Sequence, residues 1–170
     1  MATTLLLLRH AKSSWREPVT ADFERPLSGR GVRDGSDFGR VLIDSLPEPD
    51  LVLCSSARRT RDTLSFLIPE LVDPRRVWFD DELYHASAPA LLDRIRDVPA
   101  ITNTLMVVGH NPGLTDLVNM LVSGERGVID NLPTFGCARF HLTTAFAQLE
   151  RGNARLAALL RPKDEPQGKL

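Results

Sequence analysis

An arginine and a histidine stand side by side near the start of the chain, where the apolar residues 5–8 are followed by Arg9 and His10. A short apolar run that ends this abruptly is typical of a buried strand in a parallel sheet. In open α/β sheets, ligands bind at the carboxyl ends of the strands. An arginine offers an anion a fixed fork of donors, and a histidine can act as a nucleophile or carry a proton. The pair therefore predicts an anion site at this strand end.

Two later segments repeat the pattern of an apolar run followed by a cation or an imidazole. The predicted strand over residues 50–54 leads to Arg59, and the predicted strand over residues 104–109 leads to His110. Each segment then opens a predicted helix, whose free N–H groups favour anions. Because the carboxyl ends of parallel strands meet at one edge, we expect two arginines and two histidines to surround one anion. A phosphoryl group in transfer, with charge on three equatorial oxygens, suits such a set.

Three other kinds of site fit the sequence less well. Cys54 and Arg59 resemble the Cys-x5-Arg loop of cysteine-dependent phosphatases, but the arginine comes one position too early. Gly29, Gly31 and Gly35 approximate a dinucleotide fingerprint, but they follow a polar loop instead of a strand. The four histidines lack a ligand spacing such as His-x3-His. We therefore expect no metal and no cofactor, and we expect Cys54 to end a buried strand.

The hydrophobic pattern alternates strands with helices along the chain. Strands are predicted over residues 3–8, 50–54, 76–79, 104–109, 135–143 and 154–160, and helices over 28–45, 57–71, 89–98 and from 112 onwards. This alternation predicts a three-layer α/β/α sandwich with a mainly parallel sheet, in which the last two strands pair antiparallel. A polar loop over residues 9–27 is long enough to be functional. We expect one domain over residues 1–161 and a polar, disordered tail over residues 162–170.

The composition sets the class of protein. The chain has 170 residues, of which 42% are hydrophobic and 25% charged, as is ordinary for a globular domain. Its net charge of -1 gives no global field for nucleic acid or a membrane, so any anion site must be a local cluster. Cys54 and Cys137 are expected to be buried free thiols in a reducing compartment. With no signal peptide and no apolar run of roughly 20 residues, the expected location is the cytoplasm.

Taken together, these residues resemble the histidine phosphatase superfamily, also called the phosphoglycerate mutase-like fold. Three motifs carry the resemblance, in chain order Arg9-His10, Ser55-x3-Arg59-x3-Thr63 and Gly109-His110. The similarity is closest to the small SixA-type phosphohistidine phosphatases. These share the short chain, the Arg-Pro-Leu element at residues 25–27 and an acidic residue after the third strand, here Glu82.

The resemblance implies roles for four residues. His10 would be the nucleophile that attacks phosphorus and forms a covalent phosphohistidine. Arg9 and Arg59 would bind the phosphoryl oxygens, and His110 would donate to them and stabilise the transition state. Water would then hydrolyse the intermediate.

Five further residues are expected near the substrate. Arg25 would line the same pocket, Lys12 would add charge to it, and Asn111 follows the third motif directly. The proton donor stays open between two acidic residues. Glu82 stands where mutases and many phosphatases keep an acid, and Asp22 in the long first loop is its rival.

The resemblance implies a phosphohistidine protein phosphatase whose partner is a phosphorylated protein. A small-molecule phosphomonoesterase or mutase of the same superfamily is the first alternative, although mutases carry extra segments for which this chain has no room. A non-catalytic phosphate-binding module is the second alternative, and it would require His10 to be dispensable.

Overall fold

The computed structural model of the chain describes residues 3–16, 21–122 and 127–162. The strands in these ranges are β1 (Thr3–Arg9), β2 (Leu51–Ser55), β3 (Val77–Asp80), β4 (Thr104–Gly109), β5 (Cys137–Leu142) and β6 (Ala154–Leu160). The α-helices are α1 (Gly29–Ser45), α2 (Arg58–Ser65), α3 (Ala88–Arg96) and α4 (Gly113–Leu121). Short 3₁₀ turns lie at Asp22–Glu24, Pro74–Arg76, Asp81–Leu83 and Phe146–Gln148.

All of these strands belong to one sheet, in the order β3-β2-β4-β1-β5-β6. The pairs β1–β4, β2–β4 and β2–β3 are parallel, whereas β5 runs antiparallel to β1 and to β6. The predicted α/β fold with a mainly parallel sheet and an antiparallel final pair is therefore confirmed.

Helices cover both faces of the sheet, as the sequence of β1 requires. Leu5 and Leu7 pack into the core with α3 and α4, and Leu6 and Leu8 pack into the core with α1 and α2. All four leucines are fully buried. A strand that is buried on both faces has a continuous apolar sequence, which is why these residues show no alternation of apolar and polar side chains.

Helix α1 begins where the sequence predicts. The hydroxyl of Ser28 accepts the N–H of Gly31 and donates to the carbonyl of Lys12, so the cap also holds the start of the first loop. The prediction for α2 is wrong in length, because the helix ends at Ser65 instead of residue 71. Pro69 has no N–H to donate to the carbonyl of Ser65, so a regular helix cannot continue through it.

Two sequence expectations, the long first loop and the polar tail, extend beyond the described residues. Residues 17–20 of the first loop and residues 163–170 of the expected tail lie outside the described residues. The boundaries of the single domain stay a prediction. Within the described ranges, no helix is long and apolar enough to cross a membrane.

Candidate active site

A cavity of about 350 Å³ lies where β1, β2 and β4 end. Eight of the residues expected at the site line it, namely Arg9, His10, Lys12, Asp22, Arg25, Arg59, His110 and Asn111. Ser13, Trp15, His85 and Thr134 complete the lining. The expectation that one sheet edge gathers these side chains agrees with this placement.

His10 is buried and held in one orientation. Its Nδ1 lies 2.7 Å from the carbonyl oxygen of Ala11, so the neutral ring donates from Nδ1 and keeps a lone pair on Nε2. Burial lowers the pKa of His10 to about 4. The hydrogen bond to Ala11 raises this pKa, whereas the charges of Arg59 and Arg9 lower it. The imidazole is therefore neutral and nucleophilic at neutral pH.

The two arginines of the sequence motifs line the cavity with His10, and each is anchored by a backbone carbonyl. Arg9 donates through NH1 to the carbonyl of Leu132 at 2.9 Å. Arg59 is 2% exposed and donates to the Asp22 carbonyl at 2.7 Å and to its carboxylate at 3.1 Å. The Nε atoms of both arginines are buried without a protein partner. Buried donors of this kind call for an acceptor, and a phosphoryl oxygen supplies one.

His110 faces His10 across the site, with 5.3 Å between the ring centroids. Its Nε2 lies 2.7 Å from the hydroxyl of Ser55, and its Nδ1 is buried without a protein partner. Burial lowers the pKa of His110, and the cations nearby lower it further. When Ser55 donates to Nε2, the neutral ring carries its proton on Nδ1, where it can donate to an anion.

Two further contacts explain the spacing within the sequence motifs. The hydroxyl of Thr63 accepts the N–H of Ala11 at 2.9 Å and donates to the carbonyl of Arg59 at 2.6 Å, which ties α2 to the residue after His10. Asn111 donates at 3.0 Å to the carbonyl of Leu132, the group that anchors Arg9. Asn111 therefore helps to fix the carbonyl group to which Arg9 donates.

Asp22 lies inside the cationic cluster. Its carboxylate accepts hydrogen bonds from Arg25 at 2.9 Å, from Arg59 at 3.1 Å and from the hydroxyl of Tyr84. Burial opposes ionisation, but the hydrogen bonds from Tyr84 and Arg25 and the charge of Arg59 outweigh it and hold the Asp22 pKa well below its usual range. Asp22 is thus a carboxylate at neutral pH, which suits an anchor for the two arginines better than a proton donor.

Arg25 is held from three sides. It donates to Asp22, its NH1 donates to the hydroxyl of Ser13 at 2.9 Å, and its guanidinium stacks 3.5 Å above the ring of Trp15. Trp15 itself is 75% exposed. The expected place of Arg25 in the pocket agrees with this geometry, and Trp15 forms part of the mouth of the cavity.

The structure does not bring Glu82 to the cavity, so its expected place in the pocket is corrected. Glu82 lies in the 3₁₀ turn after β3 and is exposed. Its neighbour Leu83 is 1% exposed and anchors the turn in the core. Tyr84 and His85, the next two residues, are the ones that approach Asp22. Sequence reasoning missed them, although His85 follows β3 much as Arg59 follows β2.

Cys54 is fully buried at the end of β2 and does not line the cavity. Burial raises the pKa of Cys54 and of Cys137 to about 12, so both thiols are protonated and inert. Cys54 thus has neither the place nor the thiolate of a phosphatase nucleophile. In the described part of the chain, no group of three or more histidine, cysteine, aspartate or glutamate side chains is placed to hold a metal ion.

Comparisons with known proteins agree with this geometry. No family model matches the chain. An uncharacterised protein of Mycobacterium tuberculosis is 34% identical over 163 residues, which cover 92% of this chain and all of the relative. A structure from Nakamurella multipartitia, described as a candidate phosphohistidine phosphatase SixA, has 32% sequence identity and a TM-score of 0.83. That match covers 95% of this chain and 97% of the neighbour.

More distant structures share the fold alone. The protein histidine phosphatase SixA in complex with tungstate is 20% identical, with a TM-score of 0.76 over 93% of this chain and 96% of its own. The mycobacterial glucosyl-3-phosphoglycerate phosphatase is 15% identical, with a TM-score of 0.63 over 92% and 98% of the two chains. The motifs, the cavity at the strand ends and these neighbours all indicate the same family. The chain therefore belongs to the histidine phosphatase superfamily, and it is a phosphatase with SixA proteins among its structural neighbours.

Proposed function

We propose that this phosphatase removes phosphoryl groups from phosphohistidine in proteins, through a covalent phosphohistidine on His10. The observation that carries the proposal is the neutral His10, whose Nδ1–H is fixed on Ala11 while its ring lines a cavity of cationic donors. Such an imidazole presents its Nε2 lone pair to phosphorus. The surrounding arginines offset the negative charge that would repel a nucleophile.

In the first step, Nε2 of His10 attacks phosphorus, the new P–N bond forms, and the bond to the leaving atom breaks. Arg9, Arg25 and Arg59 bind the phosphoryl oxygens, and His110 donates to one of them from Nδ1. These donors are held by their own partners before the substrate arrives, so little reorganisation is needed as charge develops. Lys12, at the rim of the cavity, adds a further positive charge.

In the second step, water attacks phosphorus and the P–N bond to His10 breaks. The electron pair of that bond returns to His10, which becomes neutral again, and phosphate leaves with the oxygen and protons of the water. The same donors serve both steps, because the phosphoryl oxygens carry similar charge in each transition state.

A phosphohistidine substrate is supported by the SixA neighbours, which carry that activity in their names. It is also supported by the chemistry of the leaving group, because an imidazole leaves more readily than an alkoxide. One SixA neighbour is a complex with tungstate, which supports oxyanion binding by a protein of this fold. The two buried thiols favour a cytoplasmic location, and one domain over residues 1–161 remains part of the proposal.

A small-molecule phosphomonoesterase is the second candidate. The cavity of about 350 Å³ supports it, because this volume lies within the range of small-molecule sites. The exposed ring of Trp15 at the mouth offers such a molecule an apolar surface.

A substrate panel tests the proposal. Turnover of a phosphorylated histidine-phosphotransfer protein is compared with turnover of sugar phosphates and phosphoglycerates, each with the wild type and with His10→Ala. We expect the highest kcat/KM on the phosphoprotein and no turnover by the variant. Faster turnover of the small esters would favour the second candidate, and an active, folded His10→Ala would rule out the covalent route.

A further inference from the structure

His85 is a histidine in the cavity to which neither step above gives a role. Its Nε2 lies 3.4 Å from the carboxylate of Asp22 and 3.5 Å from NH2 of Arg59. Its ring centroid is 5.7 Å from that of His110. The side chain is 57% exposed, so it lies where the cavity meets solvent.

The backbone places His85 there at a conformational cost. Its φ of 54° lies in the left-handed region, which residues other than glycine rarely adopt. Tyr84 stacks on the imidazole with 4.0 Å between the ring centroids. A Cβ on Gly113 would come 2.0 Å from the carbonyl oxygen of Ala86, so only glycine lets α4 approach the segment that carries His85. Strained residues held from several sides are concentrated at functional sites.

A phosphoester needs a proton on its leaving oxygen, and the other acidic groups near the cavity do not supply one. Asp22 is a carboxylate, and Glu82 lies outside the cavity. The hydroxyl of Tyr84 donates to Asp22, and burial together with that carboxylate raises the Tyr84 pKa. His85 is a further titratable side chain of the cavity, and its Nε2 lies 3.5 Å from NH2 of Arg59.

We propose that His85 is the general acid of this site, with Asp22 as the residue that orients its ring. The inference rests on the proposed phosphatase activity. As Nε2 of His10 forms its bond to phosphorus, the P–O bond breaks and the leaving oxygen takes the proton from Nδ1 of His85, while Nε2 of His85 stays beside Asp22. Water then attacks phosphorus and gives a proton back to Nδ1 of His85, while the P–N bond returns its electrons to His10. Asp22 stays ionised throughout.

Four side chains lie around the imidazole of His85. Asp22 and Arg59 lie beside its Nε2, the ring of His110 is nearly perpendicular to it, and Tyr84 covers one face of the ring. Histidine is the side chain that most readily exchanges a proton near neutral pH, as a general acid must in one step and a general base in the next.

Two substrates that differ in one nitro group separate acid catalysis from positioning. The leaving group of p-nitrophenyl phosphate departs without a proton, whereas that of phenyl phosphate benefits from one. The test variant is His85→Asn, because asparagine tolerates the left-handed backbone and lacks a titratable ring. We expect kcat on phenyl phosphate to fall by roughly 10²–10⁴-fold and kcat on p-nitrophenyl phosphate by less than about tenfold.

The pH profile and a second variant complete the test. The alkaline limb of kcat/KM on phenyl phosphate should vanish in His85→Asn and persist in Tyr84→Phe, which keeps the stacked ring. Equal losses on both substrates, an unchanged pH profile, or a selective loss in Glu82→Gln would overturn the proposal, as would a wild type inactive on phenyl phosphate. An enzyme that hydrolyses the aryl esters but not phosphohistidine would instead contradict the proposed function. The role of His85 would still be tested, because the aryl esters measure acid catalysis independently of the natural substrate.

Discussion

Burial determines the protonation states at this site, and each one has a consequence for the chemistry. The same desolvation that lowers the pKa of His10 raises that of Cys54, so the histidine is ready to attack and the cysteine is not. Asp22 departs from this rule because three donors contact its carboxylate. The nucleophile is thus defined by its environment as much as by its motif.

Replacing Cys54 with alanine should leave turnover within about twofold of the wild type and cost about 1 kcal/mol of unfolding free energy, as expected for a small change in a buried side chain. The thiol is protonated, with its pKa near 12, and lies outside the cavity. Steady-state kinetics and urea unfolding measure the two quantities. Alkylation of the native protein should also spare Cys54, because the thiolate is the reactive form. Complete loss of turnover in a folded Cys54→Ala would revive the cysteine-phosphatase interpretation.

At the scale of elements, the strand ends were predictable from sequence and the turn after β3 was not. Arg9 and His110 follow continuous apolar runs, so their place at one sheet edge depends only on the parallel pairing of β1 with β4. The approach of His85 to Asp22 depends instead on a 3₁₀ turn and on packing against Gly113. These are contacts between segments far apart in sequence, and no local pattern encodes them. Glu82 was expected there instead because the resembled family keeps an acidic residue at this position.

Helix α1 supports the loop after His10 through one close contact. A Cβ on Gly31 would lie 2.1 Å from the carbonyl oxygen of Lys12, whereas a Cβ on Gly29 would meet only the side chain of Arg33 at 3.6 Å. Gly31→Ala should therefore push the loop away from α1, reduce kcat/KM and destabilise the fold by roughly 1–3 kcal/mol.

Gly29→Ala is the matched control, two residues away in the same helix. It should leave activity unchanged and stabilise the protein by up to about 1 kcal/mol, because alanine loses less backbone entropy. Thermal unfolding and kinetics of the two variants decide the point. Similar behaviour of both would show that the contact with Lys12 does not hold the loop.

For the whole molecule, the charge is nearly balanced, and the cavity gathers a local cluster of cations. The net charge is -1, yet Arg9, Arg25 and Arg59 line one cavity together with Lys12. Composition alone therefore excludes a global field but cannot locate the site. The fold class followed from the alternation of strands and helices. The apolar pattern alone placed the end of α2 too late, because it continues past Pro69, whereas a regular helix cannot.

The buried neutral histidine makes the stability of the whole protein depend on pH. The ordinary pKa of 6.5 applies to His10 in the unfolded chain, and its folded pKa is about 4, so the unfolded state binds more protons between these values. Stability should therefore fall as the pH drops from 7 to 5, by about 2 kcal/mol from His10. Asp22 does not contribute in this window, because its depressed pKa lies below the ordinary value of 3.8.

Urea unfolding of the wild type and of His10→Asn at pH 7 and pH 5 measures this contribution. The wild type should lose more unfolding free energy than the variant over the interval. Equal losses in the two proteins would mean that His10 is protonated as easily in the fold as in the unfolded chain.

The central claim is that His10 carries the phosphoryl group between the two steps. Mixing the enzyme with a phosphoryl donor, quenching rapidly in base and mapping the peptides by mass spectrometry tests it directly. We predict one acid-labile phosphoryl group on His10 in the wild type and none in His10→Asn. A phosphoryl group on any other residue, or a burst of product release with an unmodified His10, would contradict the account.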